Sequence, residues 1–250
     1  MLNKRELFLG IVWIISLPAM FGQTSFSIQG RIGLTAGMSS IKDAGDFSQY
    51  FRTRFYYSDN KGIALRLKFS NPLSIEAGYE ANNIGLEVIE NFYKLLCDTC
   101  NEKGGVFNGT GFQFVSIPLR LSYDLKISNR LLFQPTIGLQ AGFTNHGYIN
   151  LAGWGGQGYS LKLTEIKRKS GFALGAQYGG EISWRVTKKA THLQYITLLF
   201  LHNVGLLTNH EFTYTSYAEN YGTSERIVNF KASYLGATIG YRYFLTKLRE

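Results

Sequence analysis

The 250-residue sequence is short of charge, proline and cysteine. Charged residues make up 17%, where about 25% is usual. There are 4 Pro and 2 Cys, too few cysteines for a disulfide scaffold. No Gly-X-Y repeat runs through the 28 Gly, which excludes collagen. Beyond the first 22 residues no stretch approaches the roughly 18 to 20 apolar residues that a spanning helix needs. Disorder is excluded as well, because 45% of residues are hydrophobic and 15% aromatic, ample for a core. What remains is a β-rich chain with many Tyr and Phe.

The N-terminus is predicted to be a secretory signal peptide, residues 1–23. Lys4 and Arg5 form a basic start, residues 7–20 are an apolar run, and Pro18, Ala19 and Gly22 make a cleavage zone. The alternative is an uncleaved anchor, but the run is short and β-type alternation begins at once with Ser25, Phe26, Ser27 and Ile28. Cleavage takes Lys4, Arg5 and Glu6 with it, so the formal +9 falls by one. Residues 24–250 then form a single exported domain.

From residue 25 the dominant signal is a period of two, the mark of a strand with two different faces. Phe26, Ile28, Ile32, Leu34, Ala36 and Met38 alternate with Ser27, Gln29, Arg31, Gly33, Thr35 and Gly37. Similar alternation recurs over residues 62–70, 73–82, 115–125, 133–143, 172–185 and 234–243. An eighth segment, near 193–207, is apolar on both faces, and its faces stay unassigned. The connections alternate too: short near residues 70–72, 126–130 and 187–192, long over 39–49, 89–111, 145–170 and 208–226. This predicts an all-β fold, an eight-stranded antiparallel up-and-down transmembrane β-barrel with short periplasmic turns and long outer loops.

The polar face decides between a membrane barrel and a soluble one. It carries Gly, Ser, Thr and Gln with isolated charges of both signs: Arg31, Arg66, Lys68, Glu76, Glu80, Arg120, Asp124, Glu181, Arg185 and Arg242. A water-facing surface would be richer in Lys and Glu. Small residues with complementary charges suit the narrow lumen of eight strands, which side chains fill. On the apolar face Phe26, Phe69, Tyr123, Phe133, Trp184, Tyr241 and Tyr243 fall near the short-turn end, and Phe55, Tyr79, Phe143 and Phe172 near the other, as two interfacial girdles would.

The Gly-rich first strand, the run from Val115 to Tyr123, the run from Pro135 to Gly142 and the ending Gly240-Tyr241-Arg242-Tyr243-Phe244 together resemble the PorT-like outer-membrane β-barrel family. The resemblance covers nearly all of residues 24–250. It implies an integral protein of the cell outer membrane with a non-enzymatic, structural or secretion-associated role, the family's namesake serving type IX secretion. Tyr241, Tyr243 and Phe244 resemble the aromatic insertion signal read by the barrel-assembly machinery, although here residues 245–250 follow it.

Other candidates each have a plain alternative. Cys97 and Cys100 lie in the second long connection and form either a local disulfide or two free thiols. Lys162, Lys167, Arg168 and Lys169 cluster in the third, either contacting lipopolysaccharide phosphates or simply solvated. His146 and His210 are the candidates for a rim nucleophile site, and His192 and His202 complete the set of four; neither candidate sits in a motif of the outer-membrane lipases, acyltransferases or proteases, and the plain alternative is a solvated loop side chain. No cofactor is expected, and nucleic-acid binding does not suit an exported barrel. Outer-membrane lipid is the expected surrounding and secretion-system proteins are candidate partners. A small-solute channel and a surface adhesin remain the competing readings, with a lipid-modifying enzyme behind them.

Overall fold

The computed structural model describes residues 25–43, 51–90, 106–146, 159–187, 193–218 and 222–245. Every regular element among them is a strand: β1 (Ser25–Asp43), β2 (Phe51–Lys68), β3 (Leu73–Glu90), β4 (Val106–Tyr123), β5 (Leu125–Lys126), β6 (Leu131–His146), β7 (Tyr159–Arg168), β8 (Phe172–Arg185), β9 (Gln194–Gly205), β10 (His210–Ala218) and β11 (Gly222–Phe244). Antiparallel pairing runs β1-β2-β3-β4-β6-β8-β9-β11, and β11 returns to β1. The sheet is therefore a closed eight-stranded barrel. Closure leaves no free edge in the circle, which a bilayer demands because its core offers no water to unpaired backbone groups.

The outward residues explain the low charge of the chain. Ile32, Leu34, Leu65, Leu119, Leu139 and Ile239 are exposed, as are Ile117 at 65% and Ile137 at 60%. A continuous exposed belt of this kind is a lipid-facing wall, since soluble monomers seldom show apolar patches beyond a few hundred Å². Tyr123, Phe133, Trp184 and Tyr241 are exposed at the short-turn end. Phe143 and Phe172 meet edge-on at the other, with ring centroids 5.9 Å apart.

Two features differ from the sequence expectation. Residues 145–170 and 208–226 read as long connections, yet they contain β7 and β10. β10 pairs with residues 222–230 of β11, and β7 pairs with β10. Thus β7 leads into β8 after a break at residues 169–171, and β10 resumes the line of β9 after a break at 206–209. Asn209 ties the breaks together: its carbonyl accepts from Lys169 N at 2.9 Å, and its amide donates to Phe230 O at 2.8 Å. At the same level β11 bulges. Met38 pairs with Ser233 but Ser39 pairs with Phe230, so Lys231 and Ala232 are extra, and Ala232 takes φ 47°. The insertion lets β11 exchange β9 for β10 as its neighbour. Strands of 18 to 23 residues are about twice the 9 to 11 that cross a bilayer, so their upper parts stand above it. There the outer face meets water and no longer needs Ile or Leu, so only a short alternation is left, as in Tyr159, Leu161 and Leu163 against Ser160, Lys162 and Thr164.

The second feature is β9. Leu193, Tyr195, Thr197, Leu199, Leu201 and Asn203 are buried inward, while Ile196, Leu198, Phe200 and Val204 face lipid. This strand is apolar on both sides because it supplies part of the interior wall.

Candidate functional site

Inward side chains of the barrel build one connected ionic network. Arg31 on β1 donates to both carboxylate oxygens of Glu76 on β3, at 2.6 and 2.5 Å. It also lies 3.7 Å from Glu80 and 3.2 Å from Glu181. Arg120 bridges Glu76 at 3.0 Å and Glu80 at 2.7 Å. Arg66 reaches Glu76 at 3.5 Å and Glu181 at 3.3 Å, and Arg242 pairs with Glu181. All seven are buried. Each carboxylate thus faces two or three guanidiniums, the arrangement that offsets the desolvation of buried charge.

Neutral side chains stitch the charges together. The Gln134 side-chain oxygen accepts from Arg66 at 3.0 Å, Arg242 at 3.2 Å and Ser183 at 2.8 Å. Its amide donates to Asp124 at 2.5 Å, and Asp124 holds Lys68 at 2.6 Å. Gln29 accepts from Arg31 at 3.1 Å and Arg242 at 3.0 Å and donates to Glu181 at 2.9 Å. Further up, Arg120 Nε donates to Gln177 at 2.9 Å, Gln177 donates to Gln140, and the Tyr234 hydroxyl donates to Gln140 at 2.8 Å. These glutamines were not singled out in the sequence; they share the alternation phase of the charges, which was the available signal.

Nine of the ten lumen charges read from the sequence therefore converge. Arg185 does not join them. It sits at the short-turn rim, half-buried, with Nε donating to the Thr187 carbonyl at 3.0 Å. Periodicity assigns a residue to a face but not to a height, and this one lies at the strand end.

Apolar layers close both ends of the network. At the short-turn end Leu193, Tyr195 and Phe244 form a buried cluster with Leu132 against it. Phe244 consequently points inward, Tyr241 is exposed and Tyr243 is half-buried. At the outer end Ile84, Phe112, Phe114, Phe212, Val228 and Phe230 are buried. Phe112 on β4 stacks on His210 and on Phe230, with centroids 4.7 Å apart in both pairs, and lies 5.1 Å from Phe212. Since β1, β2 and β3 separate β4 from β11 along the sheet, this stack crosses the mouth. Between network and cap, a cavity of about 10 Å³ beside Asn60, Glu80, Leu199, Tyr234 and Thr238 has room for roughly one water.

The remaining sequence candidates disperse. Lys162, Lys167 and Arg168 lie on β7, a strand and not a loop; Lys167 and Arg168 are exposed. Lys169 follows them and forms an ion pair with Glu211 at 3.4 Å. His210 is inside the aromatic stack and not on a solvent-facing rim. His202 faces outward, where Nδ1 shares a hydrogen bond with the Tyr178 hydroxyl. The backbone of His146 ends β6. Cys97, Cys100, His192 and the signal-peptide segment lie outside the described residues. Among those described, no cluster of three His, Cys, Asp or Glu side chains could hold a metal ion.

The fold is shared with OprG, an outer membrane protein of Pseudomonas aeruginosa, at a TM-score of 0.52 and 13% identity, over 88% of this chain and 95% of that one. This is the fold of an outer-membrane β-barrel. Neisserial surface protein A aligns at a TM-score of 0.40 and 11% identity, over 90% of this chain and 99% of its own. The outer membrane protein AlkL, determined in lipid bilayers, gives 0.40 and 11%, over 92% and 93%. No family model matches the chain, and no curated protein does. With its exposed apolar belt, aromatic ends and closed hydrogen bonding, the barrel is built as an integral outer-membrane protein.

Proposed function

We propose that this chain is a non-enzymatic, integral outer-membrane barrel with a sealed lumen, in a structural or secretion-associated role of the PorT-like kind. It acts through its outer strands and loops or its periplasmic turns. The observation that carries this reading is the filled interior: a ring of paired Arg and Glu spans the lumen between two apolar layers. A conducting pore needs a continuous aqueous path, and eight strands leave an interior that side chains can occupy fully. The resemblance of the strand motifs to the PorT-like family supports the secretion-associated part.

Single-channel recording in planar bilayers tests the sealed lumen. The purified protein should give no steady current; a steady ionic conductance would replace this reading with a small-solute channel. The role is tested by deleting the chain and measuring protein secretion into the medium, together with cross-linking to envelope proteins. Loss of secreted cargo and capture of secretion-system components are expected, and normal secretion would favour an adhesin acting through the loops.

Two partner contacts belong to the same proposal. Lys167 and Arg168, exposed on β7, would bind lipopolysaccharide phosphates by charge-assisted hydrogen bonds. Tyr241, Tyr243 and Phe244 would present the insertion signal to the barrel-assembly machinery. Replacing Lys167 and Arg168 by Gln should weaken lipopolysaccharide retention during purification without changing the fold.

A further inference from the structure

The lumen network does not balance. Arg31, Arg66, Lys68, Arg120 and Arg242 are joined to Glu76, Glu80, Asp124 and Glu181, five cations against four carboxylates. Lys68 and Asp124 pair off at the partly open short-turn end, which leaves four guanidiniums, Arg31, Arg66, Arg120 and Arg242, against the three carboxylates Glu76, Glu80 and Glu181 in the buried part of the lumen. Guanidinium does not deprotonate in proteins, so the chain cannot remove the one positive charge left over by losing a proton. An uncompensated buried charge is expensive, because the low-dielectric interior replaces the hydration it lost.

A second observation points to where compensation is supplied. The hydroxyls of Ser25, Ser27 and Ser74 are buried, and none has a hydrogen-bond partner among the described residues. All three face the lumen around β2 at the short-turn end. In register, Ser25 and Ser74 flank Lys68 on either side, and Ser27 lies beside Arg66. Three free O–H donors beside the cationic end of the network form an anion cradle. The same hydroxyls could solvate a cation only by adding to the existing excess. The carboxylates that contact Arg66 and Lys68 are Glu76, Glu181 and Asp124, and each is already engaged: Glu76 by Arg31, Arg66 and Arg120, Glu181 by Arg31, Arg66 and Arg242, and Asp124 by Lys68.

We propose that this lumen binds one small monovalent anion of the halide class, held by the hydroxyls of Ser25, Ser27 and Ser74 against Arg66 and Lys68. It completes the charge balance of the sealed barrel and is part of its folded structure. Lys68 is the one partly open cation of the network, its side chain 28% exposed, and marks the route by which the ion arrives from the periplasmic side.

Bromide is the probe. Crystals of the purified barrel grown in sodium bromide should show one anomalous peak beside Ser25, Ser27 and Ser74. In solution, the temperature at which the heat-modifiable band is lost should rise by about 2 to 4 °C from sodium gluconate to sodium chloride at equal ionic strength. Ser74→Asp supplies a fixed negative charge at the site and should abolish both the peak and the chloride effect. Arg66→Gln removes the excess cation and should abolish the chloride effect by the opposite change, so the test survives if either variant fails to fold. Absence of the bromide peak, or equal unfolding temperatures in chloride and gluconate, overturns the proposal. Neither readout depends on conductance, so a leaky barrel that still binds bromide would sink the sealed-lumen reading and leave this one standing.

Discussion

Arg31 and Glu76 sit on strands that are not neighbours, with β2 between them, yet both Arg31 guanidinium nitrogens reach the Glu76 carboxylate at 2.6 and 2.5 Å. The intervening lumen positions of β2 are Gly62 and Ala64, which stand in register with Arg31 and Gln29. A Cβ on Gly62 would come 2.9 Å from Glu80 Cγ, so a larger residue there would wedge apart the charges that meet over it. Small residues on one strand are what allow long ones on the next to bridge.

Removing the carboxylate of this pair should cost more than removing the guanidinium, because Glu76→Gln deprives Arg31, Arg66 and Arg120 of a shared partner, whereas Arg31→Gln leaves Glu76 still paired with Arg66 and Arg120. Glu76→Gln should lower unfolding free energy by about 3 to 5 kcal/mol, and Arg31→Gln by clearly less. The double variant should cost clearly less than the two added, the mark of a direct coupling. Urea titration of the protein folded in lipid vesicles reads all three; strict additivity would show that the pair is not coupled.

The exposed apolar wall makes a second prediction, in which exposure alone does not set the outcome. Ile137 is 60% exposed on the belt of β6 and Ile127 is 63% exposed in the turn before it. Ile137→Arg puts a charge into hydrocarbon and should cost about 2 to 4 kcal/mol. Ile127→Arg places the same charge at the wet edge and should change stability by less than about 1 kcal/mol. Folding yields into vesicles would compare them, and equal effects would contradict the assignment of the belt.

Much of this architecture was readable from alternation, because in the membrane the two faces of a strand meet opposite solvents and the sequence must declare which is which. Ile32 and Leu34 outward against Arg31 and Thr35 inward is that rule at work. It weakened where the contrast weakens. Leu199 and Leu201 line the interior, so β9 looked apolar throughout, and β7 and β10 rise above the bilayer, where Lys167 on the outer side is as suitable as Ile. The lumen charges were identified by phase. Their partners were not, since the offset between strands decides which Arg meets which Glu, and that offset is set by closure of the whole barrel.

Ala232 offers a backbone test. Its φ of 47° lies in the left-handed region, which costs a non-glycine residue roughly 1 to 2 kcal/mol. The conformation is held by the bulge, where Asn203 Nδ2 donates to the Ala232 carbonyl at 2.7 Å. Ala232→Gly relieves the strain but loses a buried methyl worth about 0.8 kcal/mol, so stability should stay the same or rise slightly. At Ala173, equally buried on a strand without positive φ, the same change has no strain to relieve and should cost about 1 to 2 kcal/mol. A larger loss at Ala232 than at Ala173 would refute the strained bulge.

The aromatic stack at the mouth should matter for stability and not, by itself, for permeability. Phe112 is 3% exposed and touches His210, Phe212 and Phe230, so Phe112→Ala opens a void among residues drawn from three strands. The expected cost is about 3 to 5 kcal/mol, and protease sensitivity should rise at β10, which the stack ties to β4. Current through planar bilayers should nevertheless stay at baseline, because Arg31, Arg66, Arg120 and Arg242 with their carboxylates still span the lumen beneath the cap. Only when Phe112→Ala is combined with Arg120→Ala and Glu80→Ala, which shortens two long side chains of the network, should conductance appear. A steady current from Phe112→Ala alone would move the barrier from the charged ring to the aromatic cap.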